Sequence, residues 1–401
     1  MSLVRFRSAR QCVRYCHSLT RCHTFSRRHL STSAAEPHLL VPAYKIDSGE
    51  QHFFSVPVLP DLCLGPATSV LTLKTEPMGL ASSQYLNGLF CFHHAEYPYY
   101  FGGPILAYNP TTQETINIPL DRPGNDAAET TWNITTHFGF DPSTNSHKVL
   151  RIRWTEALPE STPRAFKMKF NVLTLGKETM SWREIDPVLP FDCVKYASGG
   201  RSVCLNGAMH WIHRYGDSIV AFDVRDEKLR LIPYPDGYTE GVNPSELVRP
   251  ERLVEIGGCL ALITSEGRNA LESPCFVEEQ MLELWVLKDY HNHVWVQESI
   301  RLPFRWDDSG RPCPIGTLPT GEVLMKPFSL YKSPAWVLFY HREEKYFKKV
   351  DIPGLPEWVT SGLRTLKFVH CYVGSAGLTN GVSNEPPHGD SNKDSKENGS
   401  S

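Results

Sequence analysis

The chain has no apolar run near the ~20 residues that cross a bilayer, so no membrane-spanning helix is expected. It has no excess of charge: 41 Lys and Arg stand against 44 Asp and Glu, a net charge of -3. Without a basic field, a nucleic-acid partner is not expected. There is no C-x-x-C pair, and the 11 cysteines are odd in number and scattered. They read as reduced thiols of an intracellular chain. Catalytic and cofactor signatures are missing too. No G-x-x-x-x-G-K-[ST], G-x-G-x-x-G, G-x-S-x-G, H-E-x-x-H or EF-hand loop occurs. That removes the usual sequence grounds for phosphate, dinucleotide, hydrolase, zinc-protease and calcium chemistry. No catalytic, cofactor or metal residue is therefore assigned, and an enzyme is not expected. Asn133-Ile134-Thr135 matches a glycosylation sequon, but with no secretory signal it reads as chance.

What the chain does have is turns. It carries 31 prolines and 28 glycines beside 41% apolar residues, enough for a sizeable core with many reversals. One phrase recurs. Ile219–Pro233 reads IVAFDVRDEKLRLIP, Ile105–Pro119 reads ILAYNPTTQETINIP, and Val337–Pro353 reads VLFYHREEKYFKKVDIP. In the first, Ile219 to Phe222 is an apolar strand, Asp223 to Lys228 supply the turn, and Leu229 to Ile232 return before Pro233. This predicts a β-hairpin. Looser copies are Thr136–Trp154, Phe170–Ile185 and Leu284–Pro303. Upstream of several hairpins stands a turn followed by an apolar strand: Asn87-Gly88, Asn206-Gly207, Gly257-Gly258 and Thr320-Gly321.

The repeating unit is thus turn, strand, gap, hairpin. Closing prolines fall at 119, 190, 233, 303 and 353, a mean interval of about 58 residues. A four-stranded propeller blade needs about 40–50 residues plus loops. Each unit exposes an apolar face that only a neighbour can cover. The expected fold is all-β: a kelch-like β-propeller of about six blades, with a pair of β-sandwiches as the runner-up. Trp182 and Trp295 sit at matching hairpin positions and are expected between blades.

Three zones are expected. Residues 1–36 form a basic head with seven arginines and no lysine, Ser-rich and free of acid before Glu36. It reads either as a degenerate helical remnant or as a mitochondrial targeting segment. Residues 37–373 form the propeller. Residues 374–401 carry almost no apolar side chains and are expected to be a disordered tail.

Weak metal candidates are Cys12, Cys16, Cys22 and His23, whose spacing fits no common zinc site. The His93-His94, His210 with His213, and His291 with His293 pairs read as loop or strand histidines. The acids Asp223, Asp226 and Glu227 read as turn residues, so nothing marks a general acid and base.

The stretches HFGFDPSTNSHKVLRIRW (137–154), CLNGAMHWIHRYGDSIVAFDVRDEKLRLIP (204–233), LVEIGGCLALI (253–263) and LELWVLKDYHNHVWVQESI (282–300) resemble the type 3 F-box-associated domain of plant F-box proteins. The resemblance covers most of residues 85–353. It implies a non-catalytic, propeller-like substrate-recognition module. In that family an F-box precedes the module and binds a Skp-type adaptor within a cullin ubiquitin ligase. Ser2-Leu3-Val4-Arg5-Phe6-Arg7 resembles the middle of an F-box, Phe25 to Ser31 its trailing edge, and Pro37 to Val41 the join to the propeller. On this resemblance the first half of an F-box is expected to be missing from the given sequence and the second half to be degenerate. Leu3, Val4 and Phe6 are the residues this resemblance would place against the adaptor. The expected partners are a Skp-type adaptor, a cullin ligase and a protein substrate whose contact residues are not identified. The alternative is a free-standing binding propeller without ligase function. Cytoplasm or nucleus is the expected compartment, with a mitochondrial alternative from the head.

Overall fold

The computed structural model describes residues 36–45, 47–75, 80–82, 85–94, 105–121, 129–157, 166–176, 180–190, 202–213, 218–236, 252–263, 281–303, 312–327, 335–360 and 370–373. These form six antiparallel sheets. Blade one holds β1 (Pro37–Lys45), β2 (Glu50–Leu59), β3 (Cys63–Leu64) and β4 (Thr68–Lys74). Blade two holds β5 (Leu80–Ser82), β6 (Phe90–His94), β7 (Ile105–Asn109) and β8 (Glu114–Ile118). Blade three holds β9 (Glu129–Asp141), β10 (Ser146–Ala157), β11 (Phe166–Thr174) and β12 (Arg183–Ile185). Blade four holds β13 (Val203–Leu205), β14 (Ala208–Ile212), β15 (Ser218–Asp223) and β16 (Leu229–Pro233). Blade five holds β17 (Arg252–Ile256), β18 (Cys259–Ile263), β19 (Met281–Asp289) and β20 (Val294–Arg301). Blade six holds β21 (Pro312–Thr317), β22 (Val323–Pro327), β23 (Trp336–His341) and β24 (Tyr346–Asp351). The last strand, β25 (His370–Val373), returns to pair with β1 and completes blade one.

The six-bladed all-β propeller is the fold expected from the repeats. Two parts of the expectation need correcting. The repeating unit has a fourth strand, the inner one, which lies before each Asx-Gly or Gly-Gly turn. Pro37 to Val41 are also not a join. They belong to β1, which is hydrogen-bonded on both sides, to β2 and to β25. β25 thus becomes the inner edge strand of blade one, so this blade is built from both ends of the propeller segment.

Six apolar clusters hold the ring, one at each junction between neighbouring blades. Leu39, Val41 and Ala43 of β1 pack with Leu324, Val337 and Phe339 of blade six, whereas Leu40 packs with Phe90, Phe92 and Tyr108 of blade two. Val220 and Phe222 of β15 face blade three, whereas Ile219 and Ala221 face blade five. Successive strand residues point to opposite faces. A middle strand buried on both faces must therefore be apolar at every position, which is why LFCF, IVAF, CLALI and WVLFY read as unbroken runs. The outer strands keep one wet face, as in ETINI of β8, where only Ile118 is buried.

Trp182 and Trp295 do lie between blades, half-buried against the two–three and four–five clusters. They also form latches. The Trp182 indole N–H donates to the Pro119 carbonyl at 2.6 Å, and Trp295 donates to the Pro233 carbonyl at 3.1 Å. At the six–one junction the Ala67 amide donates to the Pro353 carbonyl at 2.8 Å. The recurrent closing Ile-Pro now has a physical reading. Ile118, Ile232 and Ile352 are buried, and the proline after each offers its carbonyl to the next blade.

Candidate recognition face

An antiparallel four-stranded meander puts its first and third reversals at one end. Its second reversal, and the crossing to the next blade, lie at the other. The first end is a stereotyped turn face. Asn87, Asn206 and Gly257 have φ of 41, 53 and 59°, and Gly88, Gly207 and Gly258 follow at 99, 73 and 75°. Positive φ at both central residues is the tight-hairpin geometry that Asn and Gly tolerate. Along the same face, a polar side chain closes each hairpin. Asn109 Oδ1 accepts from the amides of Thr111 and Thr112, Asp223 Oδ1 from Arg225 and Asp226, and Asp289 Oδ1 from His291 and Asn292. Asp141 accepts from Ser143 and Thr144. The donors around Asp141 hold its carboxyl down at about 2 despite the opposing effect of burial. The residue before the returning strand is left-handed each time: Gln113, Asn145, Glu227, His293 and Lys345 have φ between 54 and 58°.

The second end is the connection face. It carries the links 95–104, 119–128, 158–165, 186–202, 234–251, 264–280, 302–311 and 352–369. The strand ends fix where these links start and finish. Leu120 and Val188, on two of them, are exposed apolar side chains at 46 and 88%. The fold thus assigns its longest connecting segments to one face of the ring, and connecting segments are where binding residues are commonly displayed.

The residues singled out in the sequence divide as follows. Leu3, Val4, Phe6, Cys12, Cys16, Cys22 and His23 lie outside the described residues. His210 is buried in β14, bonded to the Val203 carbonyl at 3.1 Å and to the Tyr290 hydroxyl at 2.5 Å. Burial is the main cause that lowers its pKa, to about 4, so it is neutral at neutral pH. Arg230 joins this group, donating to the Tyr290 hydroxyl at 2.8 Å with its guanidinium 4.8 Å from the ring centre. His291 donates its amide to Asp289 within its turn. Glu227 accepts from Lys148 at 2.9 Å and Arg183 at 2.5 Å, tying blade three to blade four. Cys63, Cys91, Cys204, Cys259, Cys313 and Cys371 are thiols rather than disulfides. Among the described residues no group of His, Cys, Asp and Glu is arranged to hold a metal ion. No helix among them is long and apolar enough to cross a membrane.

Sequence reasoning missed a polar group at the junction of blades two and three, toward the connection face. Arg151 and Arg153 of β10 alternate with Leu150, Ile152 and Trp154. The apolar three face blade four, so the arginines face blade two. Arg151 and Arg153 are only 3 and 8% exposed, and Thr155 beyond them 3%. Arg153 pairs with Asp121 at 3.0 Å, and Asn171 donates to the same carboxylate oxygen at 2.8 Å. Arg151 Nε and Nη1, Arg153 Nε and Thr155 Oγ1 have no hydrogen-bond partner. The signal was present in KVLRIRW: two charges on one side of a strand whose other side is fully apolar.

Comparison with known proteins fits this architecture. The family profile described as the F-box associated beta propeller domain matches residues 39–373. The F-box protein DOR of Arabidopsis thaliana is 27% identical over 354 residues, covering 84% of this chain and 81% of that protein. The F-box protein At5g65850 of the same plant is 28% identical over 346 residues, covering 82 and 76%. A chain from the nidogen/laminin complex superposes with a TM-score of 0.43 at 10% identity, covering 84% of this chain and 98% of that one.

Proposed function

The chain belongs to the F-box-associated β-propeller family, and from that premise we propose that it is a substrate-recognition subunit of a cullin-type ubiquitin ligase. The carrying observation is the family match across residues 39–373. In this reading the propeller itself performs no chemistry. It holds a protein substrate on the connection face while a Skp-type adaptor links it to the ligase. A rigid ring suits the task, because six apolar junctions fix the spacing of the displayed connections without the connections having to pack on each other. Leu120 and Val188 supply apolar contact surface.

The test is a pull-down of the expressed 401-residue chain with a purified Skp-type adaptor, beside a version carrying an intact F-box at its start. Binding by both supports ligase assembly. Binding by the graft alone rejects it for the chain and leaves a free-standing recognition propeller as the function.

A further inference from the structure

We propose that the junction of blades two and three is an oxyanion-binding site, with Arg151 as its principal ligand and Arg153 and Thr155 beside it. The inference starts from charge. A guanidinium stays protonated at any physiological pH and cannot escape burial by losing its proton. Burying such a charge without a partner is costly. Arg151 and Arg153 bring two positive charges into the junction, and among the described side chains one buried carboxylate, Asp121, faces them. Asp121 is already engaged by Arg153 and Asn171. Arg151 keeps two unpartnered donors, Nε and Nη1, on different edges of its planar fork. Each can give one charge-assisted hydrogen bond to an oxyanion seated beside the guanidinium.

Position supports the same conclusion. Arg151, Arg153 and Thr155 step along β10 toward the connection face, and Asp121 lies on the link that leaves blade two. Lys169 stands opposite Arg153 on β11, adding to the positive side of the junction. Burial disfavours the Arg151 charge, Asp121 opposes that effect, and Arg153 adds to it. No other junction pairs a buried arginine with unpartnered donors among the described residues. The chemistry asked for is one oxyanion, either a small free phosphate or the phosphorylated side chain of a bound protein. The inference deepens the reading of this face as the recognition face, but its test does not depend on adaptor binding.

Thermal unfolding of the full chain would be followed in inorganic phosphate and in N-acetyl-Gly-phosphoserine-Gly-amide, against chloride at matched ionic strength. At about ten times Kd the wild-type Tm should rise by roughly 2–4 °C. Phosphate also stabilises proteins by exclusion from their surface, so the comparison with Arg151→Met is essential. R151M keeps an apolar stem and should lose the added response. D121N, which frees Arg153, should bind phosphate severalfold more tightly and serves as the second variant if R151M does not fold. A stronger response to the peptide identifies a phosphorylated side chain, and a stronger response to inorganic phosphate identifies a free ion. Equal responses in wild type, R151M and D121N would overturn the site.

Discussion

The turn face and the connection face are ends of the same strands, and they differ in what determines their shape. At the turn face most described reversals are closed by their own residues: an Asn-Gly or Gly-Gly pair, or an Asp or Asn holding two amides. The geometry is local, so it repeats from blade to blade. At the connection face the links run from one sheet position to another, and the strand ends set where they begin and end. Stability therefore belongs to the ring and its turn face, while the proposed function assigns recognition to the other.

The largest break in that contrast should come from the ring. Phe222→Ala empties a fully buried position at the three–four junction and should cost about 3–5 kcal/mol, read by chemical unfolding. Acid comes next. Burial depresses the pKa values of His210 and His137, to about 4 and about 3, and the unfolded chain titrates near the ordinary histidine value. Between the two values the unfolded state binds more protons, so stability rises with pH and is lost as pH falls from about 6.5 toward 4. For His210 alone the loss is on the order of 3 kcal/mol, and it should shrink in H210Q when ΔG is measured across that window.

Smaller effects should mark the turn face. Asp289→Ala removes the carboxylate oxygen that accepts from two backbone amides in a solvent-exposed turn and should cost about 1 kcal/mol. Trp295→Phe keeps the ring but removes the bond to Pro233, and should cost about 0.5–1.5 kcal/mol in the same assay. The smallest stability effect belongs to the connection face. Leu120→Ser with Val188→Ser should shift stability by no more than about 0.5 kcal/mol per site while weakening partner binding. A large loss of stability there would erase the distinction between the faces.

This contrast also explains what could be read in the sequence. The hairpins Ile105–Pro119, Ile219–Pro233 and Val337–Pro353 were legible because turn chemistry and doubly buried strands are local signals. The inner strands of blades two and four were not. Val203–Leu205 and Leu80–Ser82 are three residues long, and no periodicity survives in so short a run. Blade one was hidden for another reason. Its strands β1 and β25 come from opposite ends of the propeller, and only the closed ring brings His38 beside Tyr372. The arginines of β10 were visible as letters, but their meaning depended on knowing that both faces of that strand are covered.

The most direct measurement compares partner capture by two variants in plant cell extract, each matched to wild type in amount and thermal stability. One variant carries Leu120→Ser and Val188→Ser on the connection face. The other carries Asp226→Ser and Lys345→Ser on the turn face. The connection-face variant should lose the protein partners that wild type captures, while the turn-face variant keeps them. Loss confined to the turn-face variant would contradict the assignment of recognition to the connections.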